Sequence, residues 1–334
     1  MAFLLPEGKL FFCNTCKEGK PPGSNGHKGI AETRCLMAFV NVSMAALPNK
    51  LLTPLPIDNP ALMLFSNKVK LPREAFGAAP HLKMIGVLAT GYDIVDIDAA
   101  REKNVTVCNV PSYSAAFTAQ STLALLLELT HNVGAHDNAV KDSLWSKHEY
   151  FSFWNYPLVE LDGKTLVIVG LGNIGRKVAM IAKAFGMNVL AAQLPGREAK
   201  SDAEFPYVPL DEAVAQADVI SFHCPATPET RGLLNAELLA RLKPSTLIVN
   251  ASRGALVNEE DLARALWENK IAGYATDVLN SEPPPKDNPL LHAPNCIITP
   301  HLSWASPESR QRLLNASVEN LRRYLHENPQ NVVS

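Results

Sequence analysis

Three residues with acid–base or anion-binding chemistry follow apolar runs late in the chain. Arg253 lies in NASRG (250–254), Glu282 in DVLNSEPPP (277–285) and His301 in TPHLSW (299–304). An arginine can grip a carboxylate through two parallel hydrogen bonds. A histidine held by a carboxylate can deliver or take a proton near neutral pH. Singly, each has a plain structural reading: a surface ion pair, a solvated turn residue before a proline run, a satisfied strand-end histidine. A fourth segment changes the balance. Gly170-Leu171-Gly172-Asn173-Ile174-Gly175 directly follows an apolar run, 165–169, and opens a helix-like stretch, 176–185. In a strand–turn–helix setting, Gly170 permits the tight turn, Gly172 lets the backbone approach a pyrophosphate, and Gly175 lets helix and strand pack closely. The helix N-terminus adds N–H groups and a positive dipole end. A glycine turn of an ordinary α/β protein is the competing reading.

These segments need a scaffold that brings strand ends together. From residue 164 onward, strand-like runs (165–169, 188–192, 219–223, 246–250, 271–276, 296–299) alternate with helix patterns (174–185, 210–217, 236–242, 259–269). Ile174, Val178, Ile181, Ala182 and Phe185 form one stripe, as packing on a sheet requires. Gly186 marks a helix end, and Asn258 is placed to cap the helix that follows it. The alternation predicts a doubly wound parallel sheet of six strands, with ligands at the carboxyl ends of the strands. Upstream, residues 119–132 read as an apolar helix that joins two domains. The aromatic segment 145–156 reads either as a satellite core or as a subunit interface. Strands at 84–88 and 105–109 and a helix at 97–102 are expected in the first part. Residues 14–33 read as loop or disorder.

The 334-residue chain is long enough for two domains, with 47% hydrophobic and 19% charged residues and a formal net charge of −2. No basic field favours nucleic acid, and no apolar run is long enough to span a bilayer. Six scattered cysteines and no signal-peptide pattern lead us to expect a cytoplasmic protein.

The motifs GLGNIG (170–175), NASRGALV (250–257), DVLNSEPPP (277–285) and TPHLSWAS (299–306), in that order, resemble the D-isomer-specific 2-hydroxyacid dehydrogenases. The stretches 86–100 and 109–129 also match, and WNYPLVELDGKTL (154–166) looks most like the glycerate dehydrogenase (hydroxypyruvate reductase) branch. The resemblance covers about residues 62–330. It implies a Rossmann dinucleotide domain, 111–299, inserted in a smaller flavodoxin-like α/β substrate domain made of 1–110 and 300–334. The active site would lie in the cleft between them, and closure would exclude water.

The resemblance also implies roles. His301 is the general acid/base, Glu282 its partner, and Arg253 the group that binds substrate carboxylate and carbonyl. Asp277 holds the nicotinamide carboxamide. Thr90 and Gly91 offer backbone N–H groups to the substrate carboxylate, and Trp304 lines the pocket. Cofactor contacts are implied at Gly170, Gly172, Asn173, Ile174, Gly175, Gln193, Arg197, Cys224, Pro225, Thr230, Ala251 and Thr118. The cofactor is NAD or NADP, the substrate a small 2-keto or 2-hydroxy acid such as hydroxypyruvate, glyoxylate or D-glycerate, and no metal is required. Family members are usually homodimers.

Three departures qualify the match. Gln193 stands where an acid is expected about 18–20 residues past the last glycine. It can still bond a ribose hydroxyl but does not repel a 2′-phosphate, which Arg197 could pair with. Dual cofactor use or NADP preference is therefore open. Residues 1–60 lack a clear strand–helix–strand start, and Cys13, Cys16, His27 and Cys35 have metal-ligand types at a spacing that fits no standard module. Thr118 replaces an apolar β-branched residue. The alternatives are a formate- or phosphite-type relative, against whose formate form Glu282 argues, and an NAD-sensing corepressor without turnover.

Overall fold

In the computed structural model, the described residues are 70–197 and 200–334, with the strand segments 3–4, 10–11, 37–39 and 62–65. The cysteine and histidine types at 13, 16, 27 and 35 and the polar stretch 14–33 lie outside them. The chain divides into two compact units, Met1–Tyr113 with Gln311–Ser334, and Ser114–Arg310.

The first unit contains β1 (Phe3–Leu4), β2 (Leu10–Phe11), β3 (Met37–Phe39), β4 (Leu62–Phe65), α1 (Arg73–Ala78), β5 (Met84–Val87), α2 (Ile97–Glu102) and β6 (Thr106–Cys108). Strands β1 and β2 pair with each other; β3-β4-β5-β6 form a parallel sheet in chain order. A flavodoxin-like order needs a further strand beyond β3, and none is present among the described residues. Asp96 caps α2 by accepting from Ala99 N at 2.8 Å.

The second unit carries α3 (Ala115–His131), α4 (Val133–Lys141), β7 (Thr165–Val169), α5 (Asn173–Ala184), β8 (Asn188–Gln193), β9 (Tyr207–Pro209), α6 (Leu210–Gln216), β10 (Val219–Phe222), α7 (Ala236–Leu239), β11 (Leu247–Asn250), α8 (Glu259–Trp267), β12 (Gly273–Thr276) and β13 (Cys296–Ile298). All seven strands are parallel, in the order β13-β12-β11-β10-β7-β8-β9. The order reverses at β7, which lies between β8 and β10. That switch point is where a doubly wound sheet opens its ligand crevice.

Both faces of the sheet are buried. Val167, Val169, Ile220, Phe222 and Ile248 pack with Val214, Leu238 and Leu262 on one side. Leu166, Ile168, Val219, Leu247 and Val249 pack with Leu123, Leu126, Val178 and Ala182 on the other. The strand period of two alternates side chains between these cores, and each fully buried Val, Leu or Ile contributes roughly 1.5–3 kcal/mol.

The structure corrects several expectations. A seventh strand, β9, extends the sheet; at three residues ending in Pro209 it is an edge strand with little pattern to read. Helix α3 does not join the units but lies wholly in the second. Residues 300–310 group with the second unit, because Asp277 and Thr118 bind the backbone of the His301 loop. The last helix, α9 (Pro307–Leu325), crosses the unit boundary. Its Leu321 and Tyr324 pack on Met84 and Cys108. In the aromatic segment, Trp145, Tyr150, Phe151 and Trp154 are exposed, so it forms no satellite core.

The strand–helix contact is tightest at Gly175, where a Cβ would lie 2.3 Å from Gly170 O and 3.0 Å from Ile168 Cγ2. Gly175→Ala is therefore expected to cost about 1–3 kcal/mol through overpacking, read as a lowered denaturation midpoint. An unchanged midpoint would refute the close-packing role.

Candidate functional site

The turn after β7 builds an anion cradle. Gly170 has φ +107°, a left-handed-side conformation that disfavours side chains, and a Cβ there would meet Cys224 N at 2.6 Å. At Gly172 a Cβ would meet nothing within 4 Å, so open space fronts the backbone where α5 begins. The first N–H groups of a helix have no intrahelical partner. Asn173, Ile174 and Gly175 form that first turn. The residues present thus fit a dinucleotide pyrophosphate.

A cleft opens beside this turn. It is lined by Gly170, Leu171 and Gly172, by Ala192, Gln193 and Leu194 at the end of β8, by Arg197, Lys200 and Tyr207, and by His223, Cys224 and Pro225 after β10. Lys200, Tyr207 and His223 were not singled out from sequence; their distance from any motif hid them. Burial pushes the His223 imidazole down to about 3, so it is neutral, and its Nε2 lies 2.8 Å from Ser221 Oγ. Burial raises the Cys224 thiol to about 11, which keeps it protonated. Thr230 turns inward: its Oγ1 donates to Pro225 O at 2.7 Å and accepts from Thr227 N at 2.8 Å, shaping the loop below the cleft.

Farther along the same sheet edge, β11, β12 and β13 deliver the remaining residues. Asn250 holds the turn after β11: its Nδ2 donates to Arg253 O at 2.9 Å and its Oδ1 accepts from Ser252 N at 3.0 Å. Ala251 lies within that turn, and Ser252 Oγ donates to Cys224 O at 2.6 Å, linking it to the cleft wall. Arg253 Nη1 donates to Ser252 O at 2.8 Å. Glu282 and His301 are brought into direct contact, with Glu282 Oε2 2.6 Å from His301 Nδ1. Glu282 Oε1 accepts from Leu279 N at 3.1 Å, which orients the carboxylate. The His–Glu pair is about a quarter exposed, 26% and 24% by side chain, so solvent or substrate can reach it.

His301 adopts φ +52°, and several bonds hold it there. Asp277, 1% exposed, accepts from Thr299 Oγ1 at 2.6 Å and Leu302 N at 2.9 Å on one oxygen, and from Ser303 N at 2.8 Å on the other. Trp304 Nε1 donates to His301 O at 2.9 Å, and Thr118 Oγ1 donates to Ser303 O at 2.9 Å. The hydroxyl at 118 thus anchors the histidine loop to α3. Thr90 and Gly91 follow β5 in the first unit; Thr90 Oγ1 donates to Val110 O at 3.0 Å. Among the described residues there is no cluster of three or more side chains suited to a metal ion, and no helix long and apolar enough to cross a membrane.

A pyrophosphate cradle and a carboxylate–histidine pair on one sheet edge are the equipment of a dinucleotide-dependent oxidoreductase. Comparison with known proteins narrows this. Residues 123–303 match the family model for the D-isomer specific 2-hydroxyacid dehydrogenase, NAD binding domain. The chain is 46% identical over 272 residues to a hydroxypyruvate reductase of Blautia hydrogenotrophica, covering 81% of this chain and 84% of that protein. It is 36% identical to a glycerate dehydrogenase of Methylorubrum extorquens, covering 80% and 83%. The structure of an NADPH-dependent glyoxylate/hydroxypyruvate reductase from Sinorhizobium meliloti, in complex with NADP and malonate, aligns with TM-score 0.75 and 28% identity over 82% of this chain and 84% of that one. The chain belongs to the D-isomer specific 2-hydroxyacid dehydrogenase family and is an NAD(P)-dependent oxidoreductase.

Asp277 accepts at both oxygens, and an asparagine cannot: its amide nitrogen would face either Ser303 N or Leu302 N. Asp277→Asn is expected to lower kcat at saturating cofactor by roughly 10- to 100-fold through misplacement of His301. An unchanged kcat would show that the loop holds without the carboxylate.

Proposed function

We propose that the protein reduces hydroxypyruvate or glyoxylate with a reduced nicotinamide dinucleotide, and oxidises D-glycerate in reverse. The observation that carries this reading is the 2.6 Å contact between Glu282 Oε2 and His301 Nδ1. With Nδ1 committed to the carboxylate, Nε2 is the ring atom that can exchange a proton with substrate. In the reducing direction it protonates the carbonyl oxygen, and Glu282 stabilises the charged ring. Arg253 binds the substrate carboxylate and polarises the carbonyl, where negative charge grows in the transition state. When bound, the nicotinamide supplies the hydride to the carbonyl carbon.

Gly170, Gly172, Asn173, Ile174 and Gly175 hold the pyrophosphate. Cys224, Pro225, Thr230 and Ala251 line or shape the adjoining wall, and Asp277 keeps a place beside the nicotinamide carboxamide as well as holding the histidine loop. Thr90 and Gly91 as backbone donors to the substrate, and Trp304 as a pocket wall, rest on the resemblance alone. The names of the relatives from Blautia hydrogenotrophica and Methylorubrum extorquens support this choice of substrates. A sensing protein without turnover is the weaker reading, since it gives the Glu282–His301 pair no work to do.

Assembly as a homodimer completes the proposal. Helix α4 buries no residue and its Val133 is exposed, as are Trp145, Tyr150, Phe151 and Trp154 beyond it. Such an aromatic surface suits a partner subunit, and the cytoplasm is the expected location.

Cofactor oxidation with hydroxypyruvate, glyoxylate, pyruvate and phenylpyruvate tests the substrate. Hydroxypyruvate or glyoxylate should give the highest kcat/KM; a clear preference for phenylpyruvate would overturn the assignment. His301→Ala should lower kcat by about 10²–10⁴-fold, and Arg253→Ala should raise KM and lower kcat together. Near-normal kinetics in either variant would remove that residue from the mechanism.

A further inference from the structure

The loop that carries Glu282 has no core of its own. Val278 and Leu279 before it are buried, and so are Asn288 and Leu290 after it, but residues 280–287 include no buried residue. Hydrophobic packing therefore does not place the Glu282 carboxylate against His301. Polar bonds must do so, and one side chain outside the loop supplies two of them. Glu259, in the first turn of α8, accepts from Asn280 N at 2.7 Å on Oε1 and from Asn288 Nδ2 at 2.8 Å on Oε2. Its two oxygens fasten both ends of the exposed segment, and Glu282 lies two residues past the first fastening.

The match is specific to a carboxylate. Asn280 offers a backbone N–H, which cannot be exchanged for an acceptor. Asn288 cannot reverse its amide, because its Oδ1 already accepts from Leu290 N at 3.0 Å. Glu259 thus faces two donors and must accept at both oxygens, as an ionised carboxylate does and a glutamine does not. The plain reading is that Glu259 only complements the positive end of α8. Asp261, in the same turn, bonds locally in that way, accepting from Ala236 N at 3.1 Å and pairing with Arg264. Glu259 instead reaches partners 21 and 29 positions away, both at the Glu282 loop.

The same stretch of chain carries the Arg253 turn. A Cβ on Gly254 would overlap the Leu279 carbonyl, so the residue after Arg253 packs directly on the backbone that enters the loop. Val257 O accepts from Asn280 Nδ2 at 3.0 Å. Gly254, Val257 and Glu259 therefore form one bed for the start of the loop. Within the loop, Leu279 N donates to Glu282 Oε1 at 3.1 Å, which leaves Oε2 for His301 Nδ1.

We propose that Glu259 is a positioning residue of the reaction: by bracketing residues 280–288 it holds Glu282 against His301 and in fixed relation to the Arg253 turn. The inference rests on the role given to the Glu282–His301 pair in the function proposed above. Glu259 acts through Glu282, so its effect should vanish when the Glu282 carboxylate is gone.

The test is a double-mutant cycle in the full chain, with saturating cofactor and the keto acid of highest kcat/KM. Glu259→Gln should lower kcat about tenfold, as misplacement of a reacting group does, and leave NADH and NADPH affinity, read by nicotinamide fluorescence, unchanged. In the Glu282→Gln background the same change should cost less than about twofold, because residues that act through one group are not additive. Asn288→Asp keeps the acceptor for Leu290 N and loses the donor to Glu259. It should reproduce both the loss and its dependence on Glu282. The resting protein gives a readout without turnover. The downfield proton resonance of the His301 Nδ1–Glu282 hydrogen bond, assigned by its absence in Glu282→Gln, should move in Glu259→Gln. Retained cofactor affinity reports an intact fold. Equal losses from Glu259→Gln with and without the Glu282 carboxylate, or an unmoved resonance, would make Glu259 a structural residue and overturn the proposal. Near-normal kcat in Glu282→Gln would overturn the catalytic pair itself, and this inference with it.

Discussion

The parallel hydrogen-bond ladder of the seven-stranded sheet is the constraint on which the site depends. In register, Leu166, Val219, Leu247 and Gly273 stand side by side across β7, β10, β11 and β12. Because all strands run the same way, every strand ends at one edge. The glycine turn, the turn after β8, the Arg253 turn and the Asp277 and His301 loops are therefore neighbours by construction. The ladder holds only with both faces covered, and the two hydrophobic clusters supply that cover. Packing and catalysis are thus separated in space: apolar side chains fix the strands, and the loops beyond them carry polar work.

At that edge the polar groups orient one another. A buried carboxylate is costly unless hydrogen-bonded. Asp277 meets this requirement with three donors, all from the loop that carries His301. The same economy governs Asn250, whose amide closes the Arg253 turn, and Gln193, whose amide closes the turn after β8. Asn250 and Gln193 each use a donor and an acceptor to set a neighbour's backbone, and Asp277 uses both of its oxygens. The reactive groups then inherit their positions from residues that have no reactive chemistry.

Much of this was legible in the chain. The glycine spacing at 170–175, the stripe on α5, the Asn258 cap and the alternation of strands with helices all follow local periods that a linear reading detects. The Asn258 side chain does accept from Asp261 N, at 3.1 Å. Less legible were β9, whose three residues have no period, and α4, which buries nothing and so has no apolar stripe. The aromatics at 145–156 misled in one of their two readings, because composition alone does not tell an exposed aromatic from a buried one.

The sequence by itself determined the fold class and the family, since both are written in local patterns: residue periodicity, turn glycines and four motifs in order. It also supplied the three reactive residue types. Only the tertiary structure decided which atoms meet. The 19 positions that separate Glu282 from His301, the 22 or more that separate Asp277 from the loop it binds, and the 185 that separate Thr118 from Ser303 are closed by the sheet, not by any local rule. That the Gln193 side chain spans the turn after β8, donating to Arg197 O and accepting from Lys200 N, was likewise invisible in the chain. Hydrogen-bond partners depend on where the backbone returns, and that is set by packing across the whole domain.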